Sequence, residues 1–223
     1  MNKYVLITII IFSFVLSGLF LYNHRLDLNP DGVSYLEIAK YFKEGNFFDA
    51  INAYWAPLFS LTITPLMFIF SPLESSKLVT FLLTNLWILF TYLFAYRIFF
   101  RKRTAILVSS LLLFLPNSYL LWTLITPDLL LSNFFLLLML FFFGKREIIL
   151  KSNNLSFLFG LFAGIGALIK SFFLPFALIY FTFIYLFFFK KSLITLYCTP
   201  YTRPLGKIEF YGKKYQAGAH TGI

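Results

Sequence analysis

The chain is short of charge, and shorter still of acid. Of 223 residues only 13% are charged, and nine are Asp or Glu against 19 Lys and Arg. A soluble domain carries about a quarter charged residues, so the polar surface that such a domain needs is missing. Cysteine is limited to Cys198, which excludes an intramolecular disulfide. The two histidines, His24 and His220, stand alone, without the partners a zinc site needs. There is no Walker loop, dinucleotide glycine fingerprint, CxxC pair or HExxH, so nothing points to the chemistries those motifs serve. No internal repeat is visible.

What the chain has instead is long apolar runs. Sixty per cent of its residues are hydrophobic. The runs cover about 4–22, 56–71, 78–100, 104–124, 129–144, 155–169 and 171–189. Runs of about 18 apolar residues read as bilayer-spanning helices, because lipid leaves backbone groups no partners outside the helix. The expected fold is all-α: a polytopic transmembrane bundle of about six spans. The net charge of +10 does not imply nucleic acid. Arg101–Arg103, Lys145–Arg146 and Lys190–Lys191 each follow an apolar run, as cytoplasmic anchors do. A nucleic-acid face would need a basic stripe on a soluble domain.

The charge rule orients the runs. Lys3 and 4–22 read as an uncleaved signal anchor with its N-terminus in the cytoplasm. With Arg101–Arg103 inside, 78–100 runs inward and 104–124 outward, with a kink expected at Pro116. Asp128 and Lys170 then fall on the outer side. Segment 56–71 would break this parity if it crossed. It is short and carries Pro57 and Pro65, so it reads as re-entrant or interfacial. Residues 23–77 form a first outer loop with membrane-surface helices, and 1–191 the membrane core. The tail, 192–223, shows no span.

Within that loop, Asn29-Pro30 starts a helix, with Asn as N-cap and Pro at its first position. Tyr35, Ile38, Ala39 and Phe42 share one apolar face, and Gly45 stops the helix. Glu74 and Lys77 read as ordinary loop residues. A second short amphipathic piece is expected over Phe47 to Trp55, with Tyr54 and Trp55 suited to the interface. Gly160 and Gly164 have the spacing of a close helix contact.

Three charged groups are out of place in so apolar a chain: Asp31, Asp128 and Lys170. Each has a structural reading beside the functional one. Asp31 and Asp128 suit a helix N-terminus electrostatically, and Lys170 could snorkel at a hairpin tip. Their functional readings are a general base or metal ligand for the carboxylates and a cation for a lipid phosphate.

The order of these pieces resembles the N-terminal half of a GT-C glycosyltransferase. The pieces are Pro30-Asp31-Gly32-Val33-Ser34-Tyr35 with Glu44-Gly45-Asn46, Trp55-Ala56-Pro57-Leu58, Thr126-Pro127-Asp128-Leu129-Leu130, and Gly160 to Lys170. The chain is most similar to the protein O-mannosyltransferase and aminoarabinose-transferase group, glycosyltransferase family 39-like. The resemblance implies a polyprenyl-phosphate sugar donor, a lipid, glycan or protein acceptor, and an active face outside a bacterial inner membrane. It implies Asp31 as general base, Asp128 as a second catalytic carboxylate, and Lys170, Tyr35 and Trp55 as substrate-binding. A divalent metal on Asp31 and Asp128 is used by some relatives and not by others. Gly32 departs from the Asp-Glu pair of many relatives, and the chain is shorter than they are. A non-catalytic membrane protein or subunit, or a transporter or lipid flippase, are the competing readings.

Overall fold

The computed structural model describes residues 3–51, 54–173, 175–180, 182 and 186. The chain divides into two units, Met1–Leu178 and Ile179–Ile223. In the second, the described residues are helical. Of the expected span 171–189, residues 174, 181, 183–185 and 187–189 lie outside the described residues, and the tail 192–223 wholly so.

In the first unit every regular element among the described residues is a helix. In chain order they are α1 (Lys3–Asn23), α2 (Pro30–Glu44), α3 (Phe47–Ala50), α4 (Leu58–Ile63) running into a 3-10 turn (Thr64–Phe68), α5 (Pro72–Phe99), α6 (Lys102–Leu112), α7 (Pro116–Thr123), α8 (Asp128–Lys151) and α9 (Asn153–Ile169). Two of them, α5 and the Asp128–Lys145 part of α8, are long and apolar enough to cross a membrane. A third candidate is α6 with α7, taken together across a 62° bend.

The outer surface differs from that of a water-soluble bundle, and hydroxyls join the apolar side chains inside. On α1, Ser13 and Ser17 are buried while Ile11, Phe12, Phe14 and Val15 are exposed. On α5, Ser75, Ser76, Thr80 and Thr84 are buried while Leu82 and Leu86 face outward. Hydroxyls inside and large apolar chains outside suit a hydrocarbon solvent, where polar groups seek partners between helices. Ser13 donates to Asn85 Oδ1 at 2.8 Å, and Asn85 Nδ2 donates to Ser17 Oγ at 3.1 Å, which joins α1 to α5. Phe14 meets Phe81 edge-on beside this polar seam. Helix α5 is the hub, packed against α1, α6 and α8, and α9 packs on α8.

Local sequence explains most helix ends. Ser71 and Glu74 form a capping box that starts α5, six residues before the expected apolar run. Glu74 and Lys77 are therefore helical and not loop residues, because the reciprocal cap satisfies two orphan N–H groups. Lys145 and Arg146 likewise continue α8. Pro116 does more than kink the run 104–124: it opens a new helix, with Leu113–Leu115 as the break. Proline supplies no N–H and so favours a first-turn position.

Helix α2 forms as its sequence predicts. Tyr35, Ile38, Ala39 and Phe42 are all buried, against α4, the 3-10 turn and α5. Gly45 closes the helix in the left-handed region, at φ 77°. The apolar piece Leu58–Phe68 is 11 residues and mixed α and 3-10. Its length of about 19 Å falls short of a hydrocarbon layer of about 30 Å. The expected helix over Phe47–Trp55 is cut to α3, and Tyr54 and Trp55 lie in a bend beyond it.

Among the described residues, nothing packs closely on Gly160 or Gly164. A Cβ at either would meet nothing within 4 Å among the described residues. The glycine that packs tightly is Gly166, whose position lies against the Phe173 ring. The i, i+4 spacing names a helix face but not the neighbour of that face.

Candidate functional site

Four separate stretches of chain meet at one cavity of about 420 Å³. The first turn of α2 contributes Asp31 and Tyr35. The bend before α4 contributes Tyr54 and Trp55. The α7–α8 connection contributes Thr126 to Asp128, and the end of α9 contributes Lys170 to Phe172. All five residues singled out by sequence, Asp31, Asp128, Lys170, Tyr35 and Trp55, line it. They come from positions 31 to 170 of the chain, so only the fold brings them together.

The two carboxylates begin alike. Asp31 follows Pro30 at the start of α2, and Asp128 follows Pro127 at the start of α8. Neither helix has a side-chain cap, so two helix N-termini bring their positive dipole ends toward the same space. There the likeness ends. Asp128 accepts a 2.6 Å bond from Lys170 Nζ, and the two side chains are 36% and 33% exposed. The ammonium also lies 5.1 Å from the Phe172 ring centre. Lys170 is thus neither a lone cation nor a snorkelling one. Asp31 is exposed and makes no hydrogen bond or ion pair with any described residue.

Tyr35 sits between these charges. It is 4% exposed, with Trp55 edge-on to its ring at 4.9 Å and Phe59 at 5.2 Å. Burial, then the Asp31 and Asp128 carboxylates, push its phenol up to about 12. The hydroxyl therefore keeps its proton through the physiological range and can serve as a donor. Thr126 Oγ1, on the same wall, is buried without a partner. A buried hydroxyl left unpaired normally finds a ligand or water.

The residues do not suit a resident divalent metal. Among the described residues no three of His, Cys, Asp and Glu group together. Of the two carboxylates proposed from sequence, Asp128 already holds an ammonium, whose charge opposes a second cation.

The connection between the two carboxylate-bearing turns could not be foreseen. Asn29 is the N-cap of α2, yet its side chain does not cap. Its Oδ1 accepts the Ile125 N–H at 2.8 Å, and its Nδ2 donates to the Ile125 carbonyl at 3.3 Å. Lys77 was also missed. It is 3% exposed and donates to the Thr123 carbonyl at 2.6 Å, at the end of α7. The capping box Ser71-x-x-Glu74 was the available signal, since it puts Lys77 on a helix that faces the bundle.

No protein-family model, curated protein or solved structure matches this chain.

Proposed function

We propose that this chain is a membrane glycosyltransferase of the GT-C kind. It moves a sugar from a polyprenyl-phosphate donor to an acceptor hydroxyl on the outer face of a bacterial inner membrane. The observation that carries the reading is the convergence of Asp31, Asp128, Lys170, Tyr35 and Trp55 on one cavity. The buried hydroxyls of α1 and α5 and their apolar outer faces support a lipid surround. The short Leu58–Phe68 piece supports a topology in which it does not cross. The remaining runs then give about six spans, with the basic clusters inside.

Roles follow from the charges. Asp31, with no ion-pair partner, is the general base. It takes the proton of the acceptor hydroxyl as that oxygen attacks the anomeric carbon. The bond from that carbon to the lipid phosphate oxygen breaks, and the phosphate leaves with the electron pair, so the configuration inverts. Negative charge grows on the leaving phosphate, and the Lys170 ammonium is the group placed to meet it. Asp128 holds that ammonium in the cavity before substrate arrives, which is a positioning role. Tyr35 offers its hydroxyl and Trp55 an aromatic face to the sugar.

The test is transfer by the full chain in membranes, from a panel of polyprenyl-phosphate sugars, with Asp31→Asn beside the wild type. The expected result is transfer by the wild type and a loss of at least about 100-fold in Asp31→Asn, the range for a general base. Equal rates in the two proteins would remove Asp31 from the mechanism. Absence of transfer from both, with normal insertion, would favour the second reading, a non-catalytic subunit. That reading rests on the face at Gly160 and Gly164, where a Cβ would meet no described residue within 4 Å.

A further inference from the structure

The Asn29 side chain is occupied in an unusual way. An asparagine at a helix N-cap ordinarily turns back to accept an N–H of its own first turn, worth about 1 kcal/mol to the helix. Here it does not. Both of its polar atoms are given to one residue 96 positions away, accepting the Ile125 N–H at 2.8 Å and donating to the Ile125 carbonyl at 3.3 Å. The local helix forgoes a cap and a long-range backbone clasp is made instead.

The clasp lies just upstream of both carboxylates. Asn29 is followed by Pro30 and Asp31, and Ile125 by Thr126, Pro127 and Asp128. On each side a proline fixes one backbone angle between the clasp and its carboxylate, so the join is transmitted with little slack. Gly32 completes the arrangement. A Cβ there would stand 2.8 Å from Asn29 Oδ1 and 3.0 Å from Ile125 Cβ. A side chain at 32 and the Asn29–Ile125 clasp cannot both be present as they stand. Ile125 itself is fully buried in the main core with Tyr35, so the clasp anchors the α2 end to a rigid point.

We propose that Asn29 is the positioning residue of the site, fixing Asp31 relative to the Asp128–Lys170 pair through its clasp on the Ile125 backbone. This rests on the reading of the cavity as a transfer site. Asn29 lines no part of the cavity and touches no substrate; it acts through Asp31.

The experiment has two arms. In the first, transfer is measured for Asn29→Ala, for the near-isosteric Asn29→Asp, which keeps the acceptor and loses the donor, and for each in an Asp31→Asn background. A displaced base is expected to lower kcat by up to about 100-fold. In the Asp31→Asn background the same changes should leave the residual rate unaltered, because a group acting through Asp31 has nothing left to position. In the second arm, spin labels at Val33→Cys on α2 and Leu137→Cys on α8, in a Cys198→Ser background, report the distance between the two helices without reference to activity. The expected result is a narrow distribution that broadens in both Asn29 variants.

Full activity in Asn29→Asp and Asn29→Ala would overturn the proposal. So would an equal further loss in the Asp31→Asn background, which would mark a purely structural role. An unchanged distance distribution would overturn the clasp itself. If the wild type transfers nothing, the transfer reading fails, and the distance arm alone upholds or overturns the positioning of α2 against α8 by Asn29.

Discussion

Asp31 and Asp128 occupy equivalent places, each one residue after a proline at a helix start, and the fold gives them different work. An ammonium 2.6 Å away commits Asp128. Asp31 lines the same cavity, is exposed, and is the carboxylate to which the proposed mechanism gives the role of base. Gly32 shows how closely this corner is built. Replacing it by alanine would gain up to about 1 kcal/mol of helix propensity. The added Cβ would meet Asn29 Oδ1 at 2.8 Å, and overpacking of this kind costs about 1–3 kcal/mol. The crowding term is the larger, so Gly32→Ala is expected to lower the thermal midpoint and to reduce transfer as Asn29→Ala does. A midpoint raised by the substitution would show that the clasp yields without cost.

At the scale of elements, legibility followed the range of the interaction. The start, apolar face and stop of α2 were legible because first-turn proline, i, i+4 spacing and terminal glycine act within a few residues, although Asn29 does not cap the helix with its side chain. The start of α5 was legible too, through Ser71 and Glu74, though the apolar run beginning at Leu78 drew the boundary too late. The spacing of Gly160 and Gly164 fixes a face and not its neighbour, and no described residue lies within 4 Å of a Cβ on that face. The meeting of Asp128 with Lys170, 42 residues apart, and of Asn29 with Ile125, 96 apart, left no trace in local pattern. The pairing of α1 with α5 is of the same kind. Ser13, Asn85 and Ser17 form one network between apolar outer faces. Asn85→Leu should remove it and cost about 1–2 kcal/mol, the range for polar contacts between helices in lipid. Unfolding of the purified protein in detergent measures this, and an unchanged midpoint would mean that α1 is held by packing alone.

For the molecule as a whole, the site sits where helix starts and loop ends gather, while the long helices below present apolar chains outward. On the proposed reading the chemistry belongs to one side of the membrane. Acidic groups are scarce in this sequence, and the cavity holds Asp31 and Asp128 together. Arg101–Arg103 follows the end of α5 and Lys145 lies late in α8, which starts at Asp128; the charge rule requires such placement if the cavity opens outside.

Sidedness is therefore the most direct test of the central claim. Right-side-out and inverted membrane vesicles would each be given a water-soluble, short-chain lipid-phosphate sugar and an acceptor on their exterior only, with wild type and Asp31→Asn in parallel. Transfer by wild type in right-side-out vesicles, with none in inverted vesicles and at least about 100-fold less in Asp31→Asn, is the predicted result. Transfer confined to inverted vesicles, or equal in wild type and Asp31→Asn, would contradict it.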